Sequence, residues 1–452
     1  MDRTINVILK PLRRFAVVQK PNASLLLFAA TILAMVLANS PWAERYHELL
    51  AFPIDLQAGK FSFFSHHGEP LSMLAFVNDA LMAVFFFMIG LEIKQEVLIG
   101  ELSSIRKAIL PIIAACGGMI VPVLFYMLVC NTSPEVHGAA IPMATDIAFA
   151  LAVLGLLGKR VPLSMRIFLT ALAVVDDIGG IIIIALFYSG HIAFEPLLIS
   201  LAILAALSVG GKLRIHNRLF FYVGGFIVWL LFMESGIHPT IAGVLVAFTV
   251  PARPVVKLDE FTAEMSGYLS LLDYAEVKQS KKAEVLTATQ IQVLNNIHTL
   301  ADKTISPLQI IADKLHPWVN YVILPLFAFV NAGVTFGDIQ PQSLANVPLA
   351  VFLGLFLGKT LGIFAFSYLF ACTPIVSMPS GMSKRALFGV SMLGGIGFTV
   401  ALFIANLSFD VSSPVGADLL NQAKLGVFTG SFVSGLCGYL FLKWVLPKRE
   451  VA

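Results

Sequence analysis

Four charged side chains lie inside stretches of sequence that are otherwise apolar. Asp146 closes Ile141-Pro-Met-Ala-Thr-Asp146. Asp176 and Asp177 sit side by side in Ala173-Val-Val-Asp-Asp-Ile-Gly-Gly180. Lys359 sits in Gly354-Leu-Phe-Leu-Gly-Lys359-Thr. Asp79 is a fifth such group, nearer the end of its stretch. Charges in an apolar medium are costly unless they are compensated. Three central carboxylates do not neutralise against one ammonium, so the surplus calls for a cation or a proton. Sodium is a hard cation, and two carboxylates with a hydroxyl or carbonyl supply the oxygen ligands such ions prefer. The same carboxylates bind protons instead, and so close a pair titrates as one coupled unit. Competition of ion and proton for one site, with access alternating between two faces, amounts to exchange. The bland alternative is a set of ion pairs that only fix helix register, and the excess of acid over base argues against it.

The elements that position these groups are membrane spans. The chain has 452 residues, of which 58% are hydrophobic and 13% charged, against roughly 25% charged in a soluble domain. The net charge of +3 gives no electrostatic footprint for nucleic acid. Cys116, Cys130, Cys372 and Cys437 lack metal-ligand or C-x-x-C spacing and read as small hydrophobes. Lys10, Arg13, Arg14 and Lys20 precede an apolar run from Ser24 to Ala38, which resembles a signal peptide. No small-x-small cleavage site follows it, so we read it as a retained first span. A spanning helix needs about 20 mostly apolar residues. Suitable stretches lie near 22–41, 72–91, 108–130, 136–157, 163–188, 194–210, 218–234, 237–251, 318–335, 348–371, 385–405 and 423–446. The expected fold is therefore an all-α polytopic membrane protein of about twelve spans, forming one transmembrane domain over 1–452.

The basic residues test this count, because cytoplasmic loops collect Lys and Arg. With the N-terminus inside, only Arg45 and Lys60 of the 30 Lys and Arg fall in outer loops, and Lys359 and Lys424 fall within spans. All the others lie on the inner side. A miscounted span would invert the pattern downstream, and no inversion occurs. Both termini are thus expected in the cytoplasm. In the first outer loop, alternation around Ala58-Gly59 predicts a small β-hairpin over about 52–68. Such an edge strand can pair with a copy of itself, so a homodimer through this hairpin is expected. The long inner segment 252–317 carries Val285, Leu286, Val293, Leu294, Ile297 and Leu300 at roughly helical spacing. That pattern predicts an amphipathic helix, regulatory or merely a tolerated insertion.

The fourth and eleventh spans read as broken. The fourth has Pro142 followed by Thr145-Asp146 half-way along, and the eleventh has Gly394-Gly-Ile-Gly-Phe-Thr399. Interrupted backbone at membrane depth is tolerated only where it is buried in protein or lines a cavity. A dinucleotide-binding reading of the glycine string fails, because no βαβ unit surrounds it.

Several motifs together resemble the bacterial NhaA sodium/proton antiporters. They are Gly90-Leu-Glu-Ile-Lys94, Ala144-Thr-Asp-Ile-Ala-Phe-Ala-Leu151, Ala173-Val-Val-Asp-Asp-Ile-Gly180, His316-Pro-Trp318 with Leu324-Pro-Leu-Phe-Ala-Phe329 and Asn331-Ala-Gly333, Gly358-Lys-Thr-Leu-Gly362, and Gly394-Gly-Ile-Gly-Phe-Thr399. The match runs in order from about residue 15 to 445. Interrupted spans in corresponding halves mark transporter sites generally, and NhaA is itself an instance of that rule. The resemblance implies inverted repeats whose two broken helices cross at mid-membrane. It implies that Asp176 and Asp177 bind the ion and the protons, with Na+ or Li+ as cargo and no cofactor. Asp146 and Thr145 would sit at the crossing, where Asp146 offsets positive half-helix ends and Lys359 negative ones. Spacing leaves open whether Lys359 pairs with Asp146 or Asp176. Glu92 and Glu96 would line the cytoplasmic funnel and help sense pH, with His238 as an accessory; solvated helix ends and a structural histidine are the plain readings. The implied activity is electrogenic, pH-regulated sodium export against protons by alternating access, in the bacterial inner membrane. Gln95 and Ala312 depart from the family pattern, which carries Arg and Glu there, and the loop 252–317 is unusually long. These departures touch pH activation and leave the transport site intact.

Two rivals remain on sequence grounds. An intramembrane aspartyl protease could use two carboxylates to activate water, but it needs neither Lys359 nor a third Asp, and its Gly-x-Gly-Asp signature is absent. A sodium-coupled symporter would need a larger polar cavity for an organic solute.

Overall fold

The computed structural model describes residues 21–447 apart from 56, 59–60, 67–68, 191, 214, 216, 277–285, 336, 338–342, 374–378, 380 and 412. The chain opens with α1 (Pro21–Ala38) and a short α2 (Ala43–Ala51), bent 115° from it. α2 was not expected from sequence. Its Tyr46 is buried and donates to the Phe329 carbonyl at 2.7 Å, which seats the helix on the C-terminal end of the ninth span. Next come β1 (Pro53–Ile54), β2 (Gln57–Ala58), β3 (Phe61–Ser62), β4 (Ser65–His66) and β5 (Glu69–Ser72). β2 and β3 form a two-stranded hairpin, while β5 pairs antiparallel with both β1 and β4. The strand element thus runs to Ser72, beyond the expected 52–68, because β1 needs a returning partner.

Two long helices follow, α3 (Met73–Ile99) and α4 (Ile105–Val129). The fourth segment is a 3-10 helix, Glu135–Met143, then α5 (Ile147–Leu156). It is followed by α6 (Leu163–Phe187), α7 (Phe194–Lys212), α8 (Arg218–Ser235) and α9 (Pro239–Thr249). The segment 252–317 contains two helices where one was expected, α10 (Leu258–Glu276) and α11 (Ala288–Thr304). Thr287 starts α11 with a capping box to Gln290. α12 (Pro307–Trp318) continues through a π-helical turn, Val319–Ile323, into α13 (Leu324–Asn331). α14 (Ser343–Ala371), α15 (Lys384–Gly394), α16 (Phe398–Ser408) and α17 (Pro414–Val445) complete the chain.

By length and composition, seven described helices suffice to cross a membrane, or ten if each bent pair is one span. Two expected spans fall outside that count. α9 has only 11 residues, and it packs one face into the protein, with Ala242 and Ala247 fully buried, while Leu245 and Phe248 are exposed. The Lys94 ammonium takes up its last carbonyls, Phe248 O at 2.6 Å and Val250 O at 2.5 Å. The ninth span starts at Pro307 rather than 318, because α12 runs directly into it. The second span extends to Ile99 rather than 91, so its last two turns carry Glu92 and Glu96. The last starts at Pro414, nine residues before its apolar stretch.

The helices pack in two groups. One comprises α1, α3, α7, α8, α9, α12 and α13; the other comprises α4, the 3-10 helix, α5, α6 and α14–α17. Contacts between the groups are sparser, chiefly α3 on α6 and α13 on α16. Within the second group α4 lies against α14 through glycines. A Cβ on Gly358 would meet the Pro122 backbone at 2.7 Å, and one on Gly354 would meet Pro142 at 2.6 Å. Gly117 and Gly362 each face the other's carbonyl oxygen too closely for any side chain. In lipid, such small-residue seams are what let helices associate closely. A π-helical turn, Gly354–Gly358, immediately precedes Lys359, a deformation common at functional sites. Gly362→Leu should therefore force α4 and α14 apart. We expect a destabilisation of about 1–3 kcal/mol or more, seen as a lower unfolding temperature of the detergent-purified protein. An unchanged temperature would show that the seam yields.

Candidate functional site

The two breaks meet. The fourth segment bends 45° between Met143 and Ile147, and the eleventh bends 44° between Gly394 and Phe398. Pro142 lacks an N–H, and Ala144 and Asp146 are extended, which ends the 3-10 helix. Gly394, Gly395 and Gly397 give the second break its freedom. The Asp146 N–H donates to the Ile396 carbonyl at 2.6 Å, so the two breaks are hydrogen-bonded to each other.

Each break leaves helix ends with unpaired backbone groups. Asp146 serves two of the starting ends. Its Oδ1 accepts from Phe149 N at 3.0 Å as the N-cap of α5. Its Oδ2 accepts from Thr399 N at 3.1 Å and from the Thr399 hydroxyl at 2.5 Å, at the start of α16. Ser431 on α17 supports the same end: its hydroxyl oxygen accepts from Gly397 N and Phe398 N, both at 3.2 Å. Lys359 serves a finishing end. Its ammonium donates to the Met143 carbonyl and also to Asp176 Oδ2. Asp176 is therefore the partner of Lys359, and Asp146 is not.

The Thr145 hydroxyl lies 2.7 Å from Asp176 Oδ2 and 3.0 Å from the Gly394 carbonyl oxygen. Its one proton serves one of them at a time. Asp176 and Asp177 both project from α6, which runs unbroken through them. Lys359 is 0% exposed, Asp176 4% and Asp177 7%. Asp176 Oδ1 is buried with no hydrogen-bond partner, and Asp177 hydrogen-bonds to no other described residue. Among the described residues, Asp176 Oδ1 and the two oxygens of Asp177, the next residue on α6, thus have no protein donor, and of these Asp176 Oδ1 is fully buried.

The other expected residues lie apart. Glu92, on α3, places Oε1 at 3.2 Å from His316 Nε2 on α12, with both side chains about one-third exposed or more. Glu96 caps locally, its Oε2 accepting from Glu101 N at 2.9 Å. His238 is the N-cap of α9, with Nδ1 2.8 Å from the Thr240 hydroxyl. Its Nε2 is 3.8 Å from Asp79 Oδ1, so the structure joins two residues that sequence treated separately. Reading the sequence missed Ser431, the capping by Thr399 and the Glu92–His316 pair. Ser431 gives no signal in an apolar helix, whereas His316 belonged to a motif already noted.

A predominantly helical chain with two bent helices meeting beside buried carboxylates defines a multi-pass membrane protein. The chain belongs to the Na+/H+ antiporter 1 family, whose model matches residues 14–442. A Parabacteroides distasonis protein named Na(+)/H(+) antiporter NhaA is 88% identical over this entire chain and 99% of its own length. A protein of the same name from Bacteroides fragilis is 52% identical over 95% of this chain and 97% of its own. One from Syntrophotalea carbinolica, Na(+)/H(+) antiporter NhaA 2, is 41% identical over 95% of both.

Proposed function

We propose that this chain exports sodium, and lithium, in exchange for protons by alternating access at Asp176 and Asp177. The observation that carries the reading is the mismatch of donors at α6. Lys359 and Thr145 approach only Oδ2 of Asp176, while Oδ1 and the Asp177 carboxylate have no protein donor among the described residues. Buried polar atoms seldom go without a partner. A cation or a proton supplies one here, and sodium and protons compete for it. Sodium bound to Asp176 removes the partner of Lys359, which then tends to release its own proton. Two carboxylates and one ammonium against a single monovalent ion favour more than one proton per ion, which makes the exchange electrogenic. Asp146, Thr145 and Lys359 hold the crossing in shape by supplying the ends of the bent helices. The distribution of Lys and Arg supports an inner-membrane orientation with both termini in the cytoplasm.

The test is ion exchange in sealed vesicles. Added sodium should collapse an imposed pH gradient with no organic solute present; dependence on such a solute would favour a sodium-coupled symporter. Asp177→Asn keeps the shape and loses the titration, so it should abolish exchange in a folded protein. A purified Asp177→Asn protein exchanging at the wild-type rate would sink the assignment.

pH regulation is read from Glu92 and its His316 partner on the face away from the strands. Glu96 and His238 have local capping partners, so Glu92 is the residue to test first. Glu92→Gln should shift the pH of half-maximal exchange, and an unmoved profile would remove Glu92 from this role. For assembly, β1–β5 supports a homodimer: β3 and β4 each have one described neighbour and so leave an edge for a second copy. Deleting residues 55–66 should abolish cross-linking between protomers in the membrane; an undiminished dimer would refute the strand contact.

A further inference from the structure

Asn331 ends α13 and is 0% exposed. Its side-chain amide uses its whole hydrogen-bonding capacity. The nitrogen donates to Asn78 Oδ1 at 2.8 Å and to the Phe327 carbonyl at 2.9 Å. The oxygen accepts from Asn78 Nδ2 at 3.3 Å and from Asn406 Nδ2 at 2.9 Å. Asn406 spends its other N–H on the Leu402 carbonyl at 2.8 Å. Asn78 lies in the π-helical turn Phe76–Leu81 of α3, just after β5. Asn78 and Asn331 thus belong to one helix group, and Asn406 on α16 belongs to the group that holds every site carboxylate.

We propose that this asparagine network latches the strand-side end of the protein shut, and that the Asn331–Asn406 bond breaks when the ion site opens to that side. The inference rests on the exchange activity proposed above. Three observations carry it. The bond crosses between the two helix groups where contacts are sparse, so relative motion of the groups must break it. It lies on α16 seven residues past Thr399, about 10 Å at roughly 1.5 Å per residue, so the helix that carries the latch is the one whose start Asp146 caps. One turn nearer the site, fully buried Phe403 packs on Phe86 at 5.3 Å and Phe327 at 6.4 Å between ring centroids. These rings belong to α16, α3 and α13, the same three helices the asparagines join. Latch and ring plug therefore part together. The amides do not titrate, so the latch sets the balance between the two open states at every pH without sensing it.

The experiment uses the full chain in oriented liposomes, with wild-type exchange measured first; failure there counts against the exchange activity and not the latch. Asn406→Ala removes the bridge between groups. The apparent KM for sodium should fall at the strand-side face and rise at the opposite face, the ratio of the two changing roughly fivefold, the equilibrium worth of one net hydrogen bond. Asn406→Ser should restore part of that ratio. A merely structural role would lower folded yield or maximal rate and leave the ratio alone, and that result overturns the proposal. A second variant does not depend on how Asn406→Ala folds. Asn331→Cys combined with Asn406→Cys should stop exchange when the two thiols are cross-linked and resume it on reduction, with wild-type protein as the control for Cys116, Cys130, Cys372 and Cys437. Exchange that continues with the cross-link complete overturns the latch.

Discussion

Two helices break inside the protein, and the backbone ends they expose must find partners where water is scarce. That constraint organises the second helix group. An unpaired backbone group in an apolar interior costs as much as a lost hydrogen bond or more. Asp146 and Ser431 take up N–H groups at the starting ends, while Lys359 and Thr145 reach carbonyls at the finishing ends. The charges have the signs that helix ends favour, negative beside N-termini and positive beside a C-terminus. The crossing can persist in lipid because these residues, and the Asp146–Ile396 backbone bond, satisfy it internally.

The same residues that stabilise the crossing frame the proposed ion site. α6 needs no partner for its backbone, since it is a continuous helix of 25 residues. It therefore presents Asp176 and Asp177 to the crossing without distortion. Lys359 divides its donors between the Met143 carbonyl and Asp176, so the brace on one helix end is also the partner of one carboxylate. A change in the occupancy of Asp176 is felt at once at the end of the 3-10 helix. This is a physical route from ion binding to helix position, shorter than any path through the rest of the protein.

The two helix groups differ in how they are held. Inside the second group, glycines at 117, 354, 358 and 362 let backbones touch, and such seams do not slide easily. Between the groups the contacts are aromatic rings and a few amide hydrogen bonds, which separate at smaller cost. Motion between groups, with the site carried whole by one of them, is the arrangement this packing favours. Outward-facing Leu, Ile and Phe side chains such as Leu128, Leu186 and Phe187 meet lipid rather than partner helices, and they impose no register on that motion.

Much of this was legible in the sequence. The share of hydrophobic residues and the length of the apolar stretches marked most of the spans because the bilayer imposes length and composition residue by residue. Pro142 and the Gly394–Gly397 string announced the breaks for a local reason, one lacking an N–H and the others lacking a Cβ. Asp146, Asp176, Asp177 and Lys359 stood out because charge among apolar residues is rare. Spacing did not reveal which carboxylate Lys359 takes, since Asp146 and Asp176 lie on different helices and either was within reach. The partnership of Asp79 with His238, the seat of Ser431 under α16 and the asparagine network were equally hidden. Each joins residues more than thirty positions apart, and nothing in their spacing links them. Span length also misled at α9, which has only 11 residues, most of them buried against neighbouring helices. Local chemistry is written along the chain, whereas pairing depends on how separate helices rotate and tilt against one another, and that only the packed tertiary structure decides.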